Sequence, residues 1–143
     1  MATILFALAL MQALMGGGSA LPPASSQHVI ASGMATRYAP GLMKTVYGNR
    51  LAMGHVKPCR ECAGFVALID CDDLGRKVWL KHDGRVIGPL LAVDCAARAD
   101  LPTIRERRIV AEFSYETWHQ LGFPERPVPV TILVNDIRGD RGD

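Results

Sequence analysis

The chain has 143 residues, 49% of them hydrophobic and 21% charged. This length leaves room for one domain with a single modest core. The net charge of +2 is small and no nucleic-acid reader motif is present, so we expect no nucleic acid as partner. The cluster of Arg105, Arg107 and Arg108 fits either contact with an anionic polymer or a solvated loop.

Residues 1–20 carry no charged side chain: the apolar run Ile4–Met15 is followed by the small residues Gly16–Ala20. This layout is typical of a cleaved secretory signal peptide. The run is short for a membrane span of ~20 residues, so we expect no stable span after cleavage; a retained anchor is the alternative. Residues 21–32 contain prolines and serines and predict a linker, which places the folded domain at residues 33–135.

The first half of the domain predicts short strands. Residues 33–38 alternate small and larger side chains and predict a first strand, whereas residues 42–58 predict a long loop with at most one short strand or turn. Residues 65–70 are β-branched and apolar, which is typical of a strand. Residues 76–82 mix polar and apolar positions, so we expect a half-exposed strand that forms a hairpin with the strand at residues 65–70.

The second half predicts a buried strand, a helix and a closing strand. Residues 85–94 contain the central strand, and Ser114–Gly122 has the N-cap and C′ residues of a helix. Residues 127–134 predict a final strand whose prolines place its start at a sheet edge. Many short strands with one short helix indicate a small β-barrel. The tail, residues 136–143, is charged and rich in glycine, and we expect it to be disordered.

The end of the central strand carries the first candidate for chemistry. The apolar run Leu90–Val93 follows a Gly-Pro turn and predicts a strand buried on both faces. Asp94 comes directly after it, and a carboxylate there has to be hydrogen-bonded, paired or functional because an unpaired buried charge is very costly. Asp94 is therefore either a functional group or a structural carboxylate that caps the following loop.

Four cysteines fall within the predicted domain, namely Cys59, Cys62, Cys71 and Cys95. An even number behind a signal peptide favours two disulfides, for which three connectivities are open. Zinc sites usually show two Cys-x-x-Cys pairs, and this chain has one. A redox dithiol should open a helix after a strand, whereas proline and glycine frame this pair as a loop. We therefore predict disulfides and no metal, with zinc and redox sites as the alternatives.

Five segments follow one another along the domain: Gly33–Gly41, Gly75–Leu80, Ala92–Asp94, Phe113–Gly122 and Val128–Ile132. In turn they resemble the opening segment, a strand, the Asp-bearing N-D-R-G-P-F motif, the helix and the closing strand of one family. This family is the double-psi β-barrel domain of the rare lipoprotein A (RlpA-like) and expansin-like group. The resemblance covers nearly the whole predicted domain. It implies a mainly β fold, a six-stranded double-psi β-barrel with one or two short helices.

The chain departs from the family pattern at several positions. After Asp94, residues 95–98 replace the family's Arg-Gly-Pro-Phe, and a disulfide through the cysteine in this segment would hold Asp94 in place of that turn. Glu112 stands where the family has an aspartate before its helix. His55 is similar in position to a family histidine, in a segment that aligns loosely. The cysteine-bearing insert at residues 59–62 resembles the barwin- and expansin-like branches.

For RlpA-like proteins the resemblance implies a secreted lytic transglycosylase that cleaves peptidoglycan without a cofactor. Such a reaction needs a carboxylic acid that protonates the glycosidic oxygen and then acts as base. Asp94 would be that acid/base, and His55 or Glu112 would orient it or stabilise the oxocarbenium-like charge. An ordinary loop histidine is the alternative interpretation of His55.

The expansin-like resemblance implies instead a non-catalytic module that binds or loosens the wall. Tyr38, Tyr47 and Trp79 would then offer flat faces to sugar rings, whereas Trp118, at helical spacing, is expected in the core. A third alternative is a secreted, disulfide-stapled inhibitor or effector that meets a partner through residues 105–108. We expect a monomer in an extracellular or periplasmic location, with a cell-wall glycan as partner in the first two cases.

Overall fold

A computed structural model describes residues 26–135, which fold mainly as a closed β-barrel. The six strands are β1 (Gln27–Arg37), β2 (Phe65–Leu68), β3 (Lys77–His82), β4 (Arg85–Cys95), β5 (Ile109–Phe113) and β6 (Val128–Asn135). The predicted fold class, mainly β with a six-stranded barrel, is confirmed. The predicted signal peptide (1–20) and tail (136–143) lie outside the described residues.

Three short α-helices accompany the barrel instead of the predicted one or two: α1 (Leu42–Ala52), α2 (Leu101–Glu106) and α3 (Tyr115–Gln120). The helix predicted over Ser114–Gly122 is confirmed as α3. Ser114 Oγ accepts a hydrogen bond from the Thr117 N–H at 3.1 Å, and Trp118 is buried as expected. No helix in the described part of the chain has the length and apolar character needed to cross a membrane.

The prediction of a loop over residues 42–58 is wrong for its first two thirds, which form α1. Gly41, in the left-handed conformation with φ 74°, precedes the helix without a side-chain cap, and Met43 is its one buried residue. The helix therefore lacks the usual sequence signals and depends on tertiary packing. Met43 packs with Ala67, Leu91 and Val93 in a cluster outside the barrel, which we call the outer cluster.

The strands follow one another around the barrel in the order β1-β5-β2-β4-β3-β6. The pairs β1·β5 and β2·β4 are parallel, and the other neighbours are antiparallel. The predicted hairpin between residues 65–70 and 76–82 is wrong, since β2 pairs with β4 and β5, and β3 with β4 and β6. The Asp70 carboxylate accepts from the Asp72 N–H at 3.0 Å and starts a 3-10 turn, so the chain leaves β2 without a tight reversal.

Strand β1 begins earlier than expected. It pairs with β6 from Gln27, opposite Asn135, so residues 27–32 belong to the barrel and not to the predicted linker. The prediction that the final strand starts at a sheet edge is confirmed locally, because Val128 and Pro129 pair with β1 alone. From Thr131 onward β6 has β1 on one side and β3 on the other, and there it closes the barrel. A closed barrel has no free edge, and both ends of the domain are needed to close it.

The segment Leu90–Val93 is buried throughout, with residue exposures between 0% and 2%. Leu90 and Ala92 belong to the cluster that fills the barrel, while the alternate residues Leu91 and Val93 belong to the outer cluster. The prediction of a strand buried on both faces is therefore confirmed. The packing of α1 against the barrel explains the second buried face.

Two disulfides connect the four cysteines, Cys59 with Cys62 and Cys71 with Cys95. The prediction of disulfides is confirmed, because all four cysteines are bonded. Disulfides are typical of proteins that fold in oxidising compartments.

Candidate active site

One row of residues crosses four neighbouring strands of the barrel. Thr36 of β1 aligns with Glu112 of β5, Glu112 with Ala67 of β2, and Ala67 with Asp94 of β4. Neighbouring strands lie ~4.8 Å apart, so the backbones of the two acidic residues are roughly 10 Å apart with one small side chain between them. The register thus brings the predicted residues Asp94 and Glu112 to one side of the sheet, with room between their carboxyl groups.

Irregular pairing next to each acidic residue sets this row. Between β2 and β4, Val93 is the extra residue, so Asp94 takes the position opposite Ala67. Between β1 and β5, Val110 is the extra residue, and Glu112 then falls opposite Thr36. An extra residue of this kind re-aims the side chains that follow it.

Both carboxylate oxygens of Asp94 have partners. The Tyr38 hydroxyl donates to Oδ2 at 2.8 Å, and Arg50 Nη2 of α1 donates to Oδ1 at 2.8 Å. Exposures of 15% for the Asp94 side chain and 24% for that of Arg50 make this a partly buried ion pair. Burial, followed by the contact with Asp94, raises the pKa of Tyr38 above its usual range, so the phenol remains a hydrogen-bond donor.

Glu112 has a different environment. Its Oε1 accepts a hydrogen bond from Thr36 Oγ1 at 3.1 Å. Burial raises the pKa of Glu112, with further increases from Asp100 and Asp94, while the Thr36 hydrogen bond and the charge of Arg107 oppose the rise. Glu112 therefore keeps its proton to a higher pH than an ordinary glutamate, whereas Asp94 is held in an ion pair.

The two acidic residues line one concave pocket of about 410 Å³. Tyr38 contributes a third predicted residue, and Cys95, bonded to Cys71, lies next to Asp94 in the wall. Asp100 and Arg107, at the two ends of α2, complete the charged part of the lining. We call this the acidic pocket, and it combines carboxyl groups of unlike environment with one guanidinium group.

Three predicted site residues lie outside the acidic pocket. His55 is exposed and is connected to Asp94 through Arg50, whose Nη1 lies 3.4 Å from His55 Nδ1. Tyr47 packs on Phe65, with ring centroids 4.4 Å apart, against the outer cluster. Trp79 is half-buried in β3 beside residues 87–90 of β4, before Asp94 in that strand, and it does not line the acidic pocket. Of the predicted aromatic residues, Tyr38 alone lines the pocket.

The structure adds four residues that the sequence analysis did not assign to the site: Thr36, Arg50, Asp100 and Arg107. Thr36 and Asp100 carry no distinguishing pattern in the sequence. Arg107 belongs to the basic cluster, for which a solvated loop is one interpretation; Arg105 and Glu106 instead end the helix α2, and Arg107 follows it. Arg50 lies in the segment predicted as a loop, so nothing in the sequence pointed it toward Asp94.

Within residues 26–135, no three His, Cys, Asp or Glu side chains are grouped so that they could hold a metal ion. Comparisons with protein-family models, with curated proteins and with solved structures find no match. The fold and site define a disulfide-bonded, closed six-stranded barrel with an acidic pocket on its outer side. A function has to rest on the chemistry of that pocket.

Proposed function

We propose that this protein is a secreted, RlpA-like barrel enzyme that cleaves cell-wall polysaccharide, with peptidoglycan as substrate and lytic transglycosylase chemistry. One observation carries the proposal: Asp94 and Glu112 line the same pocket in unlike environments. A pair of carboxyl groups whose environments separate their protonation is the arrangement that acid/base cleavage of a glycosidic bond uses. The two disulfides support an oxidising, extracellular or periplasmic location.

The contacts favour Glu112 as the proton donor, with Asp94 as the charged partner, which reverses the roles assigned from the sequence. Glu112 gives its proton to the glycosidic oxygen as the carbon–oxygen bond breaks. Asp94, fixed by Tyr38 and Arg50, stabilises the positive charge that develops on the sugar ring. A hydroxyl of the same sugar then attacks the cationic carbon, and its proton returns to the Glu112 carboxylate. No water is consumed, and the product is an anhydro-sugar.

Digestion of purified peptidoglycan sacculi, with mass spectrometry of the soluble products, tests this proposal. The wild-type protein should release anhydro-sugar products, and Glu112→Gln should lower the rate about 10²- to 10⁴-fold, the usual contribution of a general acid. Asp94→Asn should also lower the rate. Glu106→Gln is the matched control, because Glu106 is exposed on α2 and lies outside the acidic pocket.

The absence of anhydro-sugars from the wild-type digest would overturn the enzymatic proposal, as would equal rates for Glu112→Gln and Glu106→Gln. The second candidate is a non-catalytic wall-binding module of the expansin-like type. The ion pair between Asp94 and Arg50 favours it, since a carboxylate already neutralised by a guanidinium group stabilises a cationic sugar ring less well. Wild-type protein that sediments with sacculi but releases no product would establish binding without cleavage.

A further inference from the structure

A second row of residues crosses the other half of the barrel. Ser32 of β1 aligns with Thr131 of β6, Thr131 with Lys81 of β3, and Lys81 with Val86 of β4. These side chains are exposed or half-exposed. The outer face formed by β1, β6, β3 and β4 is therefore a polar surface, distinct from the half of the barrel that bears the acidic pocket.

Two adjoining hollows of about 990 and 620 Å³ lie on this face. Their linings share Met34, His82, Asp83 and Pro129, so they form one continuous surface, which we call the basic groove. His82 occupies its middle, where Nδ1 lies 2.7 Å from the carbonyl oxygen of Pro129 and Nε2 lies 3.2 Å from Asp83 Oδ2.

Four exposed cations line the basic groove: Lys81, Arg85, Arg108 and Arg126. Within residues 26–135, none of the four forms an ion pair or a side-chain hydrogen bond. Among residues 26–135, Asp83 is the one acidic side chain in the lining, and its Oδ2 lies 3.2 Å from His82 Nε2. Four cations against one carboxylate give this concave surface an excess of positive charge, which attracts anionic ligands.

The backbone at Arg108 gives an independent reason to assign a role to its side chain. Arg108 follows α2 with φ 55°, a left-handed conformation that glycine adopts at much lower cost. The backbone carbonyl accepts a hydrogen bond from the Met34 N–H at 2.8 Å, and a Cβ at Gly33 would lie 2.5 Å from the same oxygen. This backbone hydrogen bond connects β1 to the turn, and it does not require an arginine side chain at position 108. An arginine where glycine fits better indicates that the guanidinium group is used.

We propose that the basic groove binds an acidic polysaccharide, through the carboxylate groups that its sugars carry. The choice of a polysaccharide rests on the proposed function. Ser32 and Thr131 supply hydroxyl groups for sugar hydroxyls, and Val29 and Val86, exposed to 58% and 51%, offer apolar contacts to ring faces. Arg108 follows Arg107 of the acidic pocket directly, so the two surfaces meet at the turn between α2 and β5.

The lining favours a polysaccharide over single-stranded nucleic acid. Proteins that hold single strands stack successive bases on exposed aromatic side chains. In the described lining, the aromatic rings are His82 and Phe123, which pack edge-to-face with centroids 4.9 Å apart, and Phe123 is buried. Neither offers a free face for a base.

Affinity measurements with polygalacturonate and with its methyl ester test the proposal, because these polymers share a backbone and differ in charge. The wild-type protein should bind polygalacturonate and bind the ester at least about tenfold more weakly, the effect of losing one or more charge-assisted hydrogen bonds. Arg108→Gly and Lys81→Gln should each weaken binding of polygalacturonate about tenfold. Arg60→Gln is the matched control, because Arg60 is exposed and lies outside the groove, and its affinity should equal that of the wild type.

The Arg108→Gly variant also separates binding from folding. Glycine accepts the left-handed conformation without cost, so the urea midpoint of this variant should equal or exceed that of the wild type. Equal affinity for the acid and the ester would overturn the proposal, as would wild-type affinity of both groove variants. Tighter binding of single-stranded DNA than of polygalacturonate would assign the groove to nucleic acid instead.

Polysaccharide binding by the basic groove can be tested separately from the proposed enzymatic activity. Glu112→Gln should bind polygalacturonate as the wild type does, because the groove does not contain Glu112. Charge-dependent binding by a protein that releases no anhydro-sugar would support the groove and refute the enzyme. Cleavage of sacculi without charge-dependent binding would support the enzyme and refute the groove.

Discussion

The guanidinium group of Arg50 donates a hydrogen bond to Asp94, with 2.8 Å between Nη2 and Oδ1, and so connects α1 to the end of β4. The two residues are 44 positions apart in the chain. Because Met43 of the same helix packs in the outer cluster, the position of Arg50 depends on how α1 sits against the barrel. The ion pair therefore couples the acidic pocket to the packing of α1.

Loss of the Arg50–Asp94 ion pair should destabilise the fold. Arg50→Gln leaves a partly buried carboxylate with the Tyr38 hydroxyl as its remaining partner, and we expect a loss of about 1–3 kcal/mol in the free energy of unfolding. Urea unfolding of Arg50→Gln, Asp94→Asn and the double variant measures the coupling energy. Arg60→Gln, the same change at an exposed loop position, should stay within about 0.5 kcal/mol of the wild type. A coupling energy near zero would contradict the prediction.

Burial of Glu112 makes stability depend on pH in a defined direction. The pKa of Glu112 in the folded protein is above its ordinary value of 4.5. At a pH between the unfolded-state pKa and the folded-state pKa, the native state therefore holds more protons than the unfolded state. The contribution of Glu112 to stability therefore falls as the pH rises through this window. Glutamine does not titrate, so the stability of Glu112→Gln relative to the wild type should increase as the pH rises through this window. Urea midpoints of both proteins at a series of pH values measure this difference.

Thr36→Val provides a matched test of the same prediction. The Thr36 hydroxyl donates to Glu112 and lowers its pKa, so removal of this donor should extend the window to higher pH. A stability difference between the wild type and Glu112→Gln that stays constant with pH would show that burial does not perturb this carboxyl group.

Several strands and the helix α3 could be predicted because their signals are local. The apolar run Leu90–Val93 and the capped segment from Ser114 each carry their own pattern, and both form the predicted element. The pairing of strands is different, since a Gly-containing turn after residues 65–70 looks like a hairpin although β2 joins β4 in parallel. A parallel pair depends on contacts that are distant in sequence, and no local pattern encodes them.

The candidate site could be predicted in part for the same reason. Asp94 is marked by the apolar strand before it, and Glu112 by its place ahead of a recognisable helix. Arg50 carries no such mark, because α1 has glycine at position 48, no capping side chain and one buried residue. The helix forms when the outer cluster buries Met43, which is a tertiary event. The groups that set the electrostatics of Asp94 are thus fixed by the fold.

The two disulfides should contribute unequally to stability. Cys71 and Cys95 are 24 positions apart, whereas Cys59 and Cys62 are 3 apart. In the chain-entropy model, closure of the longer loop contributes about 3.5 kcal/mol and closure of the shorter one about 2 kcal/mol. Urea unfolding of the two double-alanine variants measures this order. A larger loss on removal of the Cys59–Cys62 bond would show that its packing in the outer cluster, and not chain entropy, dominates.

Two glycine-to-alanine changes should have opposite effects. A Cβ at Gly64 would lie 2.1 Å from Thr117 Oγ1 and 2.9 Å from Thr117 Cβ. Thr117 is buried and cannot yield easily, because its Oγ1 accepts hydrogen bonds from the Ser114 hydroxyl and the Phe65 N–H. Gly64→Ala should therefore lower the free energy of unfolding by about 1–3 kcal/mol, as overpacking does elsewhere.

The control for this change is Gly48→Ala, which adds the same methyl group at an exposed position of α1. A Cβ there meets nothing within 4 Å, so alanine should raise the free energy of unfolding by about 0.5–1 kcal/mol through its better helix propensity. Urea unfolding measures both variants. Gly64 lies directly before β2 and against Thr117 of α3. An unchanged free energy of unfolding for Gly64→Ala would mean that α3 moves away from the barrel at little cost. The close packing of α3 against the start of β2 would then not contribute to stability.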